Sequence, residues 1–113
     1  RDFPKGKIIA LFGVGKDGHI AGMIPGTENF EEKFNNPEIW AVDLKDKKFE
    51  RTTTTFSFLK LIDFPLVYIS GVEKAEVLAL TVAKEGDLHQ TPARILNEMK
   101  EPIVFTDISV EKA

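Results

Sequence analysis

An acid and a histidine lie two residues apart inside the glycine-rich stretch GVGKDGHIAGMIPG, residues 13–26. Gly13 and Gly15 allow the backbone to approach a ligand closely. Asp17 is placed to cap a following helix, whose amide N–H groups would favour an anion. His19 would then lie in the first helical turn, where the helix dipole disfavours a positive charge, and a neutral histidine can act as a general base. The stretch indicates an acid–base site, and the alternative is an ordinary turn with a surface histidine.

Two cations follow other strand-like segments. Lys74, in SGVEKAEVL, is predicted at the start of a helix, where a cation is favoured only if an anion lies between its ammonium group and the helix amides. Arg51 precedes a run of threonines. Both residues are candidates for binding an anionic ligand, and the alternative for each is a solvated surface position. His89 adjoins a predicted helix cap at Thr91, which favours a structural role.

The elements that must position these residues alternate between strands and helices. Strands are predicted at KIIALF, IWAVDL, FPLVYISG and PIVFTD. Helices are predicted at residues 20–23, 30–34, 72–86 and 92–99, with a further start at ISVEKA. RTTTTFSFLKLI is predicted to begin extended and end helical, and KDKK to form a solvated turn.

This alternation predicts an α/β fold in which helices cover about four parallel strands on both faces. Because ligands bind beyond the carboxyl ends of such strands, His19 and Lys74 are expected at the same edge of the sheet. We expect residues 1–113 to form a single α/β domain, since the chain has 42% hydrophobic and 29% charged residues and no internal repeat.

Composition excludes several classes of protein. The chain has no cysteine, so it forms neither a disulfide framework nor a thiolate metal site, and we expect no metal. Its net charge of −3 disfavours a nucleic-acid partner. The apolar runs are far shorter than the ~20 residues that span a bilayer, so no membrane partner and a cytoplasmic location are expected.

Three segments in this order resemble the 6-phosphogluconolactonase and glucosamine-6-phosphate deaminase superfamily, over about residues 7–107. The first matches a strand followed by Gly-x-Gly-x-Asp-Gly-His-x-Ala and, a few residues on, Pro-Gly. Its matching residues are Gly13, Gly15, Asp17, Gly18, His19, Ala21, Pro25 and Gly26. The second is the SGxxKA block, matched by Ser70, Gly71, Lys74 and Ala75. A fainter feature, TPA, follows at residues 91–93.

Two details favour the lactonase branch. Deaminases of the superfamily carry a catalytic glutamate after the histidine motif, and Ile24, which occupies that position here, cannot transfer a proton. The lactonase pattern Glu-Arg-Ile-Thr-Leu-Thr also resembles ERTTTT at residues 50–55. Two residues depart from the lactonase pattern, because Gly22 replaces the usual serine and Thr52 an isoleucine.

The resemblance implies a partial three-layer α/β/α fold with a parallel sheet, of the sugar-phosphate isomerase type. It implies hydrolysis of 6-phosphogluconolactone to 6-phosphogluconate in the pentose phosphate pathway, with His19 as general base and Asp17 supporting it. Lys74 and Arg51 would bind the 6-phosphate, with Gly13, Gly15 and Gly18 shaping the binding loop. No cofactor is implied.

Chains of this family are roughly twice as long. Their first half carries a Ser/Gly-rich phosphate loop and an Asp-Glu-Arg segment, and neither occurs in these 113 residues. The resemblance therefore implies the C-terminal half of a longer protein, inactive alone, whose partners are a sugar phosphate and either the missing half or a second copy. The alternatives are a glucosamine-6-phosphate deaminase or isomerase and a non-catalytic phosphosugar-binding module.

Overall fold

The computed structural model describes residues 6–45 and 50–108. The strands are β1 (Ile9–Gly13), β2 (Ala41–Lys45), β3 (Glu50–Thr54), β4 (Phe64–Ile69) and β5 (Ile103–Thr106). The helices are α1 (Phe30–Phe34), α2 (Phe56–Leu59) and α3 (Ala75–Val82), with a 3₁₀ turn at Val72–Lys74 and a 3₁₀ helix at Pro92–Glu98. Residues 46–48 of the predicted KDKK turn, and residues 109–113 of the helix predicted at ISVEKA, lie outside the described residues.

Three strands form a parallel sheet in the order β1-β4-β5. Ile9 pairs with Phe64 at one side of the central strand, and Leu66 pairs with Ile103 at the other. The short apolar strands and the helical segments between them are typical of a parallel α/β sheet. The predicted α/β class is confirmed.

The predicted strand IWAVDL does form, as β2, but it pairs antiparallel with β3 in a separate two-stranded sheet. The charged residues of β2 explain why it is not part of the parallel sheet. A strand inside such a sheet is usually covered on both faces and consists of a continuous run of apolar residues. Asp43 and Lys45 are exposed, and the Asp43 carboxylate accepts a hydrogen bond from the Thr52 hydroxyl across the hairpin (2.7 Å). Three strands rather than four therefore lie in the parallel sheet.

The core lies on one face of that sheet. Val67 and Ile69 of β4 are fully buried and belong to the same apolar cluster as the helical residues Phe34, Leu59 and Leu78. Both crossovers, from β1 to β4 and from β4 to β5, advance in one direction across the sheet. Because such crossovers are right-handed, they place their helices on the same face. The described residues thus supply the sheet and one helical layer of a three-layer arrangement, rather than helices on both faces.

Side chains at two helix ends explain where those helices stop and start. The Thr55 hydroxyl accepts the N–H of Phe58 at the start of α2 and donates to the Ile39 carbonyl (2.6 Å). At the other end of the core, the buried Arg94 donates to the carbonyls of Leu80 and Ala83 (2.6 and 2.8 Å), which terminates α3 earlier than predicted.

The segment that contains Thr91 forms a 3₁₀ helix rather than an α-helix. Thr91 occupies its N-cap position, as predicted, and Pro92 opens the helix. The Thr91 side chain makes no capping hydrogen bond. Within the described ranges, no helix is long and apolar enough to cross a membrane.

A close contact joins the hairpin to the chain that follows β1. The N–H of Gly22 donates to the hydroxyl of Thr53, which is buried in β3 (2.8 Å). A Cβ atom on Gly22 would lie 2.7 Å from the Cβ of Thr53. The departure from serine at this position therefore has a steric reason, because the strand leaves no room for a side chain.

We predict that Gly22→Ala destabilises the fold by ~1–3 kcal/mol, since the added methyl group must push a strand residue aside. Gly13→Ala is the matched control, because nothing lies within 4 Å of a Cβ at Gly13. Its expected effect is neutral or stabilising by up to ~1 kcal/mol. Chemical denaturation measures both variants, and equal stabilities would contradict the steric explanation.

Candidate active site

The histidine loop leaves the carboxyl end of β1 as a tight turn. The N–H of Gly18 donates to the Gly15 carbonyl (2.9 Å), and the N–H of Gly15 donates to the His19 carbonyl (3.1 Å). The helix predicted at residues 20–23 is wrong. Ile20 instead makes isolated antiparallel bridges to Val14 and Met23, and all three side chains are buried. The buried side chains of Val14, Ile20 and Met23 therefore fix the loop to the core.

Asp17 and His19 contact each other directly within this loop. One carboxylate oxygen of Asp17 accepts the backbone N–H of His19 (3.1 Å) and lies 2.6 Å from the ring Nδ1. Because a carboxylate only accepts hydrogen bonds, Nδ1 carries a proton in this contact, and Nε2 is the ring nitrogen that can accept one. Asp17 thus orients the ring, whereas its predicted role as a helix cap is wrong, since no helix follows it.

The same contacts set the charge of Asp17. Partial burial of the carboxyl group acts to raise its pKa, but the hydrogen bonds from the backbone N–H and ring of His19 outweigh burial and hold the pKa of Asp17 below its ordinary value. The carboxylate is therefore ionised throughout the neutral range. The charged carboxylate beside Nδ1 fixes the orientation and the tautomer of the His19 ring.

Glycines permit the close packing of this loop. A Cβ on Gly15 would overlap the His19 ring. Gly18 has a φ of 94°, and a Cβ there would lie 3.2 Å from Thr91. The N–H of Ala93 donates to the Gly18 carbonyl (2.9 Å). The TPA segment therefore supports the histidine loop from the far end of the chain, a role that its position in the sequence does not indicate.

Lys74 follows β4, the strand that pairs with β1. It ends the 3₁₀ turn and immediately precedes α3, so it lies at a helix start as predicted. Gly71, with a φ of 97°, opens that turn, and its N–H donates to the Asp107 carboxylate (3.0 Å) beyond β5. Lys74 and His19 therefore follow the carboxyl ends of neighbouring parallel strands, the arrangement expected from the sequence.

Arg51 lies on a different part of the surface, on strand β3 of the hairpin. It borders an open cavity of about 360 Å³ between the hairpin and the Pro-Gly loop. The cavity is lined by Ile24, Pro25, Gly26, Thr27, Glu28, Lys33, Asp43, Leu44, Lys45 and Arg51. Asp17, His19 and Lys74 do not line it. The predicted phosphate-binding pair of Arg51 and Lys74 is thus split between this cavity and the sheet edge.

His89 has the structural role that the sequence favoured. Its ring stacks on Phe30 with centroids 4.5 Å apart, and its Nε2 lies 2.8 Å from a carboxylate oxygen of Glu31. Its carbonyl accepts the N–H of Gly26 (3.1 Å), which ties the Pro-Gly loop to α1. Among the described residues, no group of three or more His, Asp or Glu could hold a metal ion.

Comparison with known proteins identifies relatives of the whole matched region. A 6-phosphogluconolactonase from Helicobacter pylori is 33% identical over 94 residues, which cover 81% of this chain and 40% of that protein. A protein named 6-phosphogluconolactonase 3, chloroplastic, from Arabidopsis thaliana is 30% identical over 108 residues, covering 93% of this chain and 31% of that protein. The chain thus spans well under half the length of these relatives.

Solved structures share the fold. A 6-phosphogluconolactonase from Shewanella baltica superposes with a TM-score of 0.73 at 20% identity, covering 93% of this chain and 45% of that one. The 6-phosphogluconolactonase of Thermotoga maritima gives 0.68 at 26% identity, with 94% and 45% covered. A family model described as glucosamine-6-phosphate isomerases/6-phosphogluconolactonase matches residues 7–105. The chain therefore belongs to the glucosamine-6-phosphate isomerase and 6-phosphogluconolactonase family.

Proposed function

We propose that this chain carries the acid–base half of a 6-phosphogluconolactonase, an enzyme that hydrolyses 6-phosphogluconolactone to 6-phosphogluconate. The observation that carries the proposal is the 2.6 Å contact between Asp17 and the ring of His19, in a glycine-rich turn at the carboxyl edge of a parallel sheet. The names of the relatives support the choice of reaction. The proposal places the activity in the pentose phosphate pathway and in the cytoplasm.

His19 performs the proton transfers in this proposal. Its Nε2 takes a proton from a water molecule as the water oxygen attacks the lactone carbonyl carbon, which forms a tetrahedral intermediate. When the intermediate collapses, the bond from the carbonyl carbon to the ring oxygen breaks. The imidazolium then returns its proton to that departing oxygen, and Asp17 stabilises the ring while it is charged. The reaction draws on the chain's own groups and water, so no cofactor is proposed.

The remaining site residues bind the substrate. Lys74 is the N-cap residue of α3, and a phosphate dianion at this helix start would gain charge-assisted hydrogen bonds from its ammonium group and from backbone N–H groups. Gly13, Gly15 and Gly18 allow the loop backbone to approach the sugar. In this proposal the substrate also extends to the hairpin cavity that Arg51 lines, so Arg51 contacts it at a point apart from Lys74.

Ile24 favours hydrolysis over deamination. This residue lines the cavity beside the Pro-Gly loop and offers no group that could open a sugar ring by proton transfer. We further propose that residues 1–113 form a single α/β domain that corresponds to the C-terminal half of such an enzyme. A non-catalytic phosphosugar-binding module remains the alternative that the kinetic tests below distinguish.

The first test uses a chimaeric chain that joins these residues to the part of the Helicobacter pylori relative that they do not match. His19→Ala should lower kcat for lactone hydrolysis by ~10²–10⁴-fold, as expected for a lost general base. Lys74→Ala should chiefly raise KM, because phosphate binding also holds the ground state.

The control is Lys84→Ala, an exposed lysine just beyond the far end of α3, which should leave both constants unchanged. Rates are measured on 6-phosphogluconolactone after subtraction of spontaneous hydrolysis. An unchanged kcat in His19→Ala would remove His19 from the mechanism. Faster turnover of glucosamine 6-phosphate than of the lactone would establish the deaminase alternative.

The second test uses the 113-residue chain alone. We expect 6-phosphogluconate to perturb backbone amide signals near residues 13–20 and 74 weakly, without measurable lactone hydrolysis. The reason is that positioning supplies several kcal/mol of barrier lowering, and a site open on one side forfeits much of it. Full turnover by the isolated chain would contradict this prediction.

The third test measures the carboxyl titration of Asp17 by carbon NMR. Its midpoint should lie below that of an unperturbed aspartate, and His19→Ala should raise it, because the ring hydrogen bond and its charge are lost. The folded-state pKa is the lower one, so the stabilisation by Asp17 is present above the unfolded-state pKa and disappears as the pH falls through the folded-state value.

Glu31 provides the internal reference for that titration. Hydrogen bonds from Asn35 and His89 hold the pKa of Glu31 below its ordinary value, and neither partner touches Asp17. Its midpoint should therefore stay constant in His19→Ala. A wild-type Asp17 midpoint at or above the ordinary value would show that the pair does not form in solution.

A further inference from the structure

Two backbone hydrogen bonds hold residues 18–26, the stretch that contains the acid–base histidine, to a segment far along the chain. Just before the histidine, the Gly18 carbonyl accepts the N–H of Ala93 (2.9 Å). At the Pro-Gly loop, the N–H of Gly26 donates to the His89 carbonyl (3.1 Å). Both ends of the stretch are therefore fixed to the same short segment.

The segment that makes both bonds, residues 87–93, is called the support segment below. Residues 91–93 are buried, whereas His89 lies in the outer half of the segment and is exposed to solvent. The His89 side chain fixes this outer half, because its ring stacks on Phe30 (centroids 4.5 Å apart) and its Nε2 lies 2.8 Å from a Glu31 carboxylate oxygen. The residue that accepts one of the two bonds is thus also the residue that ties the segment to α1.

Within residues 18–26 the backbone enters the left-handed region three times. Gly18 and Gly26 have φ values of 94° and 72°, which glycine adopts readily because it has no Cβ. Ala21 has a φ of 52°, and its Cβ makes that conformation costly. Ala21 is exposed, so burial of its methyl group does little to offset the cost. A backbone strained in this way persists only where surrounding contacts hold it.

We propose that His89 is a positioning residue for His19. Through the support segment, His89 holds the strained stretch around Ala21 in the conformation that keeps the His19 ring at the carboxyl edge of the sheet. Without the His89 ring contacts, the Gly26 end loosens, Ala21 relaxes to an unstrained φ, and the His19 ring moves. His89 itself does not touch the reacting atoms. The kinetic consequence alone rests on the proposed lactonase function, because the loop can be observed without turnover.

Amide hydrogen exchange in the 113-residue chain measures the two bonds directly, because Gly26 and Ala93 are their donors. His89→Ala removes the ring contacts and keeps the backbone carbonyl that accepts from Gly26. We expect exchange at both amides to become ~10-fold faster, the effect expected for the loss of one hydrogen bond and one ring stack. The contact of Thr53 with Gly22 remains, so the loop loosens without unfolding.

Ala21→Gly tests whether strain drives the loosening. Glycine adopts a φ of 52° at little cost, so the double variant His89→Ala/Ala21→Gly should exchange within ~3-fold of the parent chain at both amides. A role of His89 confined to its own segment predicts no rescue, because the change at residue 21 restores none of the lost ring contacts.

Two neighbouring glutamates of α1 provide the matched control. Glu31 and Glu32 are both exposed and lie in the first turn of the helix, and the His89 ring contacts Glu31. Glu31→Ala should speed exchange at Gly26, whereas Glu32→Ala, which removes the same charge from the same turn, should leave it unchanged. Equal exchange rates in these two variants would overturn the role of the ring contact.

In the chimaeric chain of the first test, His89→Ala should lower kcat for lactone hydrolysis by ~10-fold and leave KM within ~2-fold of the parent value. The reason is that a misplaced base slows the chemical step, whereas phosphate binding at Lys74 is unaffected. Adding Ala21→Gly should restore most of the lost kcat.

The exchange data decide whether His89 acts on the loop. Unchanged exchange at Gly26 and Ala93 in His89→Ala would overturn the positioning role. Faster exchange that Ala21→Gly fails to reverse would also overturn it, because strain would then not be the cause. Equal acceleration at the amide of Val67, in the central strand of the parallel sheet, would assign His89 to global stability and overturn the role as well.

The kinetic data separate this proposal from the lactonase proposal. If exchange follows the expected pattern while no chimaera hydrolyses the lactone, the role of His89 in the loop stands and the lactonase proposal fails. If an active chimaera keeps its kcat in His89→Ala although exchange is faster, His89 does not position His19 for the reaction and the inference is overturned.

Discussion

The parallel pairing of β1 with β4 is the constraint on which the rest of the molecule depends. Because the two strands run in the same direction, the loops that follow them emerge at one edge. His19 lies in the first loop and Lys74 in the second. An antiparallel arrangement of the same strands would place these residues at opposite ends of the sheet. The backbone hydrogen bonds of the ladder thus decide that these two loops lie at the same edge of the sheet.

The histidine loop keeps its shape through contacts that come from distant parts of the chain. Thr53 of the hairpin binds the backbone of Gly22, and the TPA segment packs against Gly18. In each contact, atoms of another element occupy the space that a side chain at the glycine would fill. The turn is therefore held by contacts on several sides although it is rich in glycine, as a site that must position a side chain closely requires.

Local pattern was sufficient for some elements and misleading for others. β1, β4 and β5 are short apolar runs beside turn residues, and their pairing in a parallel sheet agrees with that composition, although only one face of the sheet is covered. The apolar spacing of Ile20 and Met23 resembles one helical turn, but Ile20 instead forms backbone bridges to Val14 and Met23 within the same loop. β2 pairs with the segment that immediately follows it, and its own residues did not distinguish this local hairpin from a place in the parallel sheet. The sequence motif identified His19 and Asp17. The contacts that Thr53 and Thr91 make with the histidine loop join distant parts of the chain and are visible only in the folded structure.

The register of the sheet also has a consequence for the time course of folding. Ile9 pairs with Phe64, and Leu66 with Ile103, so the central strand must find partners on both sides that are dozens of residues away in the chain. Long-range pairing of this kind slows folding, because the loops must close before any contact rewards them. During that interval β1 and β4 present apolar strands without neighbours. Transiently unpaired apolar strands of this kind favour aggregation while a chain folds.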